Sequence, residues 1–106
     1  MADFLQVTTA AGSREEAERL AAALVERRLA GCVQIVGPVV SVYRWQGAVE
    51  RAEEWLCHAK TTSERYAAVE ATIRELHSYE CPEVIATPIV AGSAAYLAWL
   101  SEQVAD

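Results

Sequence analysis

His77, Glu80, Cys81 and Glu83 crowd one short segment, His77-Ser78-Tyr79-Glu80-Cys81-Pro82-Glu83. An imidazole, a thiol and carboxylates are donor types that hold copper or zinc. Pro82 disfavours helix at Cys81, so the segment reads as a loop, not as a helical face that fixes two ligands. The same residues have a plain structural reading. Cys81 can be a small buried hydrophobe, and His77 can close a helix, where positive charge is favoured. Cys32 opens an apolar, β-branched run and reads as a buried structural thiol. Cys57 and His58 are adjacent on a strand, so they face opposite ways and cannot chelate together. Glu54 and Lys60 flank Trp55 and Leu56. They read as a solvated face, as structural ion pairs, or as ligand contacts in a cleft between subunits.

No catalytic set is legible. Nucleophilic catalysis needs a nucleophile, a base and an orienting group, and the chain has only 2 histidines and no nucleophile elbow. No glycine-rich loop opens a helix to cradle phosphate. An acylphosphatase would share the expected topology but relies on an asparagine, and this chain has none.

The elements that must position these groups follow from periodicity. Residues 3–9 read as a strand that Gly12 ends. Ser13-Arg14-Glu15-Glu16 is a capping-box pattern, with Ser13 capping the Glu16 amide and Glu16 reaching back. Ala17, Leu20, Ala21, Leu24, Val25 and Leu29 then recur at helical spacing, giving a helix over 13–29 with Gly31 as its stop. Cys32 to Trp45 reads as a strand bent or bulged at Gly37-Pro38. Gln46-Gly47 reads as a hairpin turn, and the return strand runs from Val49 to Lys60. So long a hairpin outruns the helices of a small domain, and its outer half should project. Thr61-Thr62-Ser63-Glu64 resembles a second capping box before a helix striped by Tyr66, Val69, Ile73 and Leu76. Val84 to Ile89 reads as a fourth strand, and Gly92-Ser93 caps a last helix carrying Tyr96, Leu97, Trp99, Leu100 and Val104.

The order is β-α-β, a hairpin, then β-α-β and a helix. Right-handed crossovers convert it into an α+β, ferredoxin-like split βαβ sandwich with both main helices on one sheet face. The other face is left bare. Tyr43, Trp45, Trp55 and Trp99 are more aromatic surface than one thin core needs, so they are candidate interface residues between copies of the chain.

Length and charge narrow the partners. The 106 residues make one domain, 1–106. Lys and Arg number 9 against 15 Asp and Glu, a net charge of −6 that disfavours nucleic acid and anionic membrane. No secretory signal or membrane-spanning stretch is legible. The 3 cysteines form no C-x-x-C pair and favour a reducing, cytoplasmic setting.

Leu29-Ala30-Gly31-Cys32-Val33, the hairpin Ser41-Val42-Tyr43-Arg44-Trp45-Gln46-Gly47, Lys60-Thr61-Thr62, the His77–Glu83 loop and the Tyr96-Leu97-Ala98-Trp99 ending together resemble the CutA divalent-cation-tolerance family. That resemblance implies a PII-like homotrimer with a protruding hairpin and an added C-terminal helix. It implies no catalytic activity and a cytoplasmic role linked to copper and other divalent cations, none of them tightly bound. The family's polar cluster maps onto Cys32, Glu54, Lys60, His77, Tyr79 and Glu83. Cys32, His77 and Glu83 are then the candidate metal ligands at an inter-subunit cleft. Glu54, Lys60 and Tyr79 are the candidate cleft contacts, serving either a metal ion or a small-molecule signal. A scaffold trimer is the third reading. Animal relatives are associated with acetylcholinesterase anchoring, which nothing in this chain calls for. The chain departs from the family pattern at Thr8, where some members carry a cysteine taken as a copper ligand, at Ser78 in place of proline, and at Ala48 in place of lysine.

Overall fold

The computed structural model describes residues 3–105. Its elements run β1 (Phe4–Ala11), α1 (Arg14–Glu26), β2 (Cys32–Trp45), β3 (Ala48–Thr62), a 3-10 turn (Ser63–Arg65), α2 (Tyr66–Leu76), β4 (Ile85–Pro88) and α3 (Ala94–Gln103). The four strands form one sheet in the order β2-β3-β1-β4, every neighbouring pair antiparallel. That order is what two interleaved βαβ units require.

Strand alternation sorts the sheet into two faces. Val7 and Ala59 pack with Leu24 of α1 and with Val69 and Ile73 of α2, so both helices cover the same face. A second cluster joins Ala11 and Cys57 to Ala17 and Leu20. Gln6, Thr8 and Ala10 of β1 face the other way, together with Cys32, Gln34 and Val36 of β2 and Glu54, Leu56, His58 and Lys60 of β3. Thr8 Oγ1 and His58 Nδ1 lie 3.0 Å apart on that open face, while the Cys57 thiol points into the core and donates to the Ala17 carbonyl.

Ser13 caps α1 through its hydroxyl, which accepts from the Glu16 amide at 3.1 Å. The reciprocal half of the expected box is absent: the Glu16 side chain turns to Ser78 instead. Gly31 is not the left-handed stop. Arg28 takes that conformation, with φ of 59°, and its guanidinium is tied to the carbonyls of Glu102 and Ala105. The second helix also differs from expectation. Thr62 makes no side-chain cap, a 3-10 turn precedes α2, and Thr72 is buried where Leu76 was expected.

The hairpin follows the sequence closely. A bulge separates Val36 from Val39 at Gly37-Pro38, and Gln46 and Gly47 both take positive φ, as a tight two-residue turn demands. Beyond the bulge the hairpin leaves the helices behind. Val40, Val42 and Val49 are 62%, 62% and 64% exposed. The molecule accordingly measures 44 × 25 × 22 Å. Ser93 caps α3 by accepting from the Tyr96 amide, and Leu100 and Val104 seat that helix in the core.

Candidate functional site

Where β1 ends, three elements meet on the open face. Helix α2 stops at Leu76, and His77 swings into an extended conformation that starts the loop toward β4. The His77 side chain is buried against the end of β1. Its Nε2 lies 2.8 Å from the Ala10 carbonyl, and its Nδ1 accepts from the Tyr79 amide at 3.0 Å. A carbonyl only accepts and an amide only donates, so the ring carries its proton on Nε2. Both nitrogens are thereby engaged in holding the loop.

Glu16 holds the same loop from the other side. Its carboxylate accepts from the Ser78 amide at 2.7 Å and from the Ser78 hydroxyl at 2.9 Å. Burial alone would raise this carboxyl, but the two Ser78 bonds, with the nearby His77 ring and the Gly12 amide, hold it below its ordinary value. The only motif that includes Glu16 is the capping box, which points it at its own helix terminus and not at this loop. The detectable signal was only an acidic residue at the third position of a helix, which the local capping rule assigned to Ser13.

The loop presents Tyr79. Its ring stacks obliquely on His77, with centroids 4.7 Å apart, and its hydroxyl donates to Glu54 Oε2 at 2.9 Å. Burial first, then the Glu54 carboxylate, pushes this phenol up to about 12. Glu54 is itself only 8% exposed. Around this pair opens a cleft of about 630 Å³, walled by Tyr43 and Trp45 of the hairpin and by Glu80, Cys81 and Glu83 of the loop. Three carboxylates and a thiol make it an acidic, partly aromatic recess. Such a lining attracts cations and repels anions.

Glu54 and Tyr79, expected as cleft contacts, and Glu83, expected as a metal ligand, therefore line one recess of a single chain. Cys32 and Lys60 do not join them within one chain. Cys32 pairs with Lys60, which pairs with Gln6, four strand residues from Ala10 and thus roughly 13 Å along the sheet. There the Lys60 ammonium donates to Gln34, and the Cys32 thiol lies beside the Tyr96 hydroxyl. The ligand set Cys32, His77 and Glu83 is thus not assembled by a single chain. Among the described residues, no group of three or more His, Cys, Asp or Glu is arranged to hold an ion. Of the aromatics, Tyr43, Trp45 and Trp99 are broadly exposed, whereas Trp55 packs on its own chain's core and under Gly37.

A profile of the CutA1 divalent ion tolerance protein family matches residues 5–103. The chain belongs to that family. It is 46% identical over 90 residues to the divalent-cation tolerance protein CutA of Thermus thermophilus, covering 85% of this chain and 87% of that one. To the CutA of Archaeoglobus fulgidus it is 41% identical over 104 residues, covering 98% and 99%. The solved Thermus structure superposes with a TM-score of 0.94 at 41% identity, covering 96% of this chain and 99% of that one. A CutA structure from Xylella fastidiosa superposes at 0.95 with 32% identity, covering 98% and 100%. The family is named for tolerance of divalent ions and not for a catalysed reaction. Its members occupy different compartments: the solved Archaeoglobus protein is described as periplasmic and an Arabidopsis thaliana relative as chloroplastic. No helix among the described residues is long and apolar enough to cross a membrane.

Proposed function

We propose that this CutA-family chain is a non-enzymatic, cytoplasmic homotrimer that binds divalent cations, copper among them, weakly at clefts between its subunits. The observation that carries the reading is the acidic recess around the Tyr79–Glu54 pair, opening beside an apolar hairpin that the chain leaves uncovered. Tyr43, Trp45, Val40, Val42 and Val49 form surface that water solvates poorly, and a second copy is the nearest partner able to cover it. The count of three rests on the family resemblance to PII-like trimers.

Within that reading Glu83 and Glu54 are the cation-facing carboxylates. Cys81, exposed in the same loop, adds a soft donor. Cys32 takes part only if a neighbouring subunit brings it to the cleft. His77, with both ring nitrogens occupied, holds Tyr79 in place and does not contact the ion. Carboxylates dispersed over an open cleft bind through water, so affinity is low and no ion is tightly retained. The small-molecule signalling alternative likewise needs a neighbouring subunit, because Lys60 and Glu54 of one chain lie six residues apart along β3, roughly 20 Å.

Isothermal titration of Zn²⁺ and Cu²⁺ into the wild type, Glu54→Gln and Glu83→Gln tests the proposal. Weaker binding in both variants is expected. Equal heats and stoichiometry in all three proteins would contradict it.

A further inference from the structure

We infer that Gly12 and Glu16, neither of which touches the cleft, are positioning residues that set where the Tyr79 hydroxyl stands and so how Glu54 presents its carboxylate. The inference rests on the cation-binding reading above and adds to it one residue just before α1 and one in its first turn.

Three contacts fix Tyr79. Its amide is bonded to His77 Nδ1, and the next residue back, Ser78, is clamped through amide and hydroxyl by Glu16, 62 positions earlier in the chain. Its ring rests over Gly12. A Cβ built on residue 12 would stand 3.0 Å from the Tyr79 hydroxyl oxygen and 3.6 Å from Cε1. The bare glycine therefore makes the floor on which the phenol lies. The hydroxyl then reaches Glu54 Oε2 at 2.9 Å, so it engages one oxygen of a carboxylate that lines the cleft.

This arrangement separates two ways of disturbing the site. In Glu16→Gln, the amide oxygen keeps the Ser78 amide while the Ser78 hydroxyl must turn from donor to acceptor, and both bonds become neutral and weaker, so the loop loosens from below. In Gly12→Ala, no hydrogen bond of the fold is removed. The Gly12 backbone is not in the left-handed region, and the atoms nearest to the added methyl belong to the far end of Tyr79. Tyr79 must then give by a few tenths of an ångström, which disturbs the geometry of its 2.9 Å bond to Glu54. The Tyr79→Phe variant has no hydroxyl to displace. The effect of Gly12→Ala must therefore vanish in a Tyr79→Phe background if it acts through this contact, whereas a general loosening of the strand end would persist.

The experiment uses the full chain with 13Cζ-labelled tyrosine and zinc ion as probe. Among the 4 tyrosines, the Tyr79 resonance, assigned by its loss in Tyr79→Phe, should shift in Gly12→Ala and in Glu16→Gln while the other three stay in place. Zinc affinity by titration should fall severalfold in both variants, as the bond that orients the Glu54 carboxylate in the cleft is disturbed. Adding Gly12→Ala to Tyr79→Phe should change affinity no further. An unmoved Tyr79 resonance in both variants overturns the inference, whatever zinc does. So does an equal fall in affinity from Gly12→Ala with or without the hydroxyl. If wild type binds no zinc, the cation reading fails, while the tyrosine resonances still decide whether Gly12 and Glu16 position Tyr79.

Discussion

Gly31 lies so close to Leu100 that a Cβ on residue 31 would stand 2.6 Å from Leu100 Cδ1. Leu100 is fully buried, so its side chain has nowhere to swing. The contact joins the start of β2 to α3, and it explains a glycine whose expected role was to stop α1. Gly31→Ala should destabilise the protein by about 1–3 kcal/mol, the usual cost of overpacking a tight core. Chemical denaturation of the two proteins measures it, and an unchanged midpoint contradicts the packing described here.

Glu16 makes stability depend on acid. Its carboxyl sits below the ordinary value of 4.5 in the folded chain, with burial opposing the shift and the Ser78 bonds outweighing it. A carboxyl depressed by folding contributes its full stabilisation above the ordinary value and loses it as pH falls through the folded value. At neutral pH, Glu16→Gln should therefore be less stable than wild type by about 1–2 kcal/mol, the difference between hydrogen bonds to a charged and to a neutral acceptor. Below 4.5 the gap should narrow. Thermal melts of both proteins across that range check it; a constant gap contradicts the assignment.

The thiols should differ in reactivity. Cys57 is buried and donates to the Ala17 carbonyl, and burial, with the Glu16 charge adding, pushes its thiol up to about 11. Thiolate is the reactive form. Cys81 is exposed in the cleft loop. A disulfide reagent at neutral pH should modify Cys81 readily and Cys57 only after unfolding, as peptide mapping by mass spectrometry will show.

Much of this architecture was legible because it depends on local chemistry. Ser13, Ser93, Gln46-Gly47 and Gly37-Pro38 each act within a few residues of themselves, and each does what its type dictates. Misreadings arose where a distant partner offered more than a near one. Glu16 has two donors in Ser78 against one in its own helix terminus. Arg28 accepts a left-handed backbone because its guanidinium finds two carbonyls at the end of α3. The site shows the same division. That Glu54, Tyr79 and Glu83 belong together was implied only by the family resemblance, since residue types alone left Glu54 as a solvated face, an ion pair or a ligand contact. That Cys32 and Lys60 occupy a different row of the sheet was not legible, because pairing register, and not composition, decides which residues stand side by side.

Everything proposed for the cleft presumes that copies of this chain cover one another's hairpins. Sedimentation velocity of the purified protein at micromolar concentration tests that most directly. The account predicts one species at three times the chain mass, shifting toward smaller species in Trp45→Ala as the exposed aromatic is lost. A compact single-chain species for the wild type would contradict it.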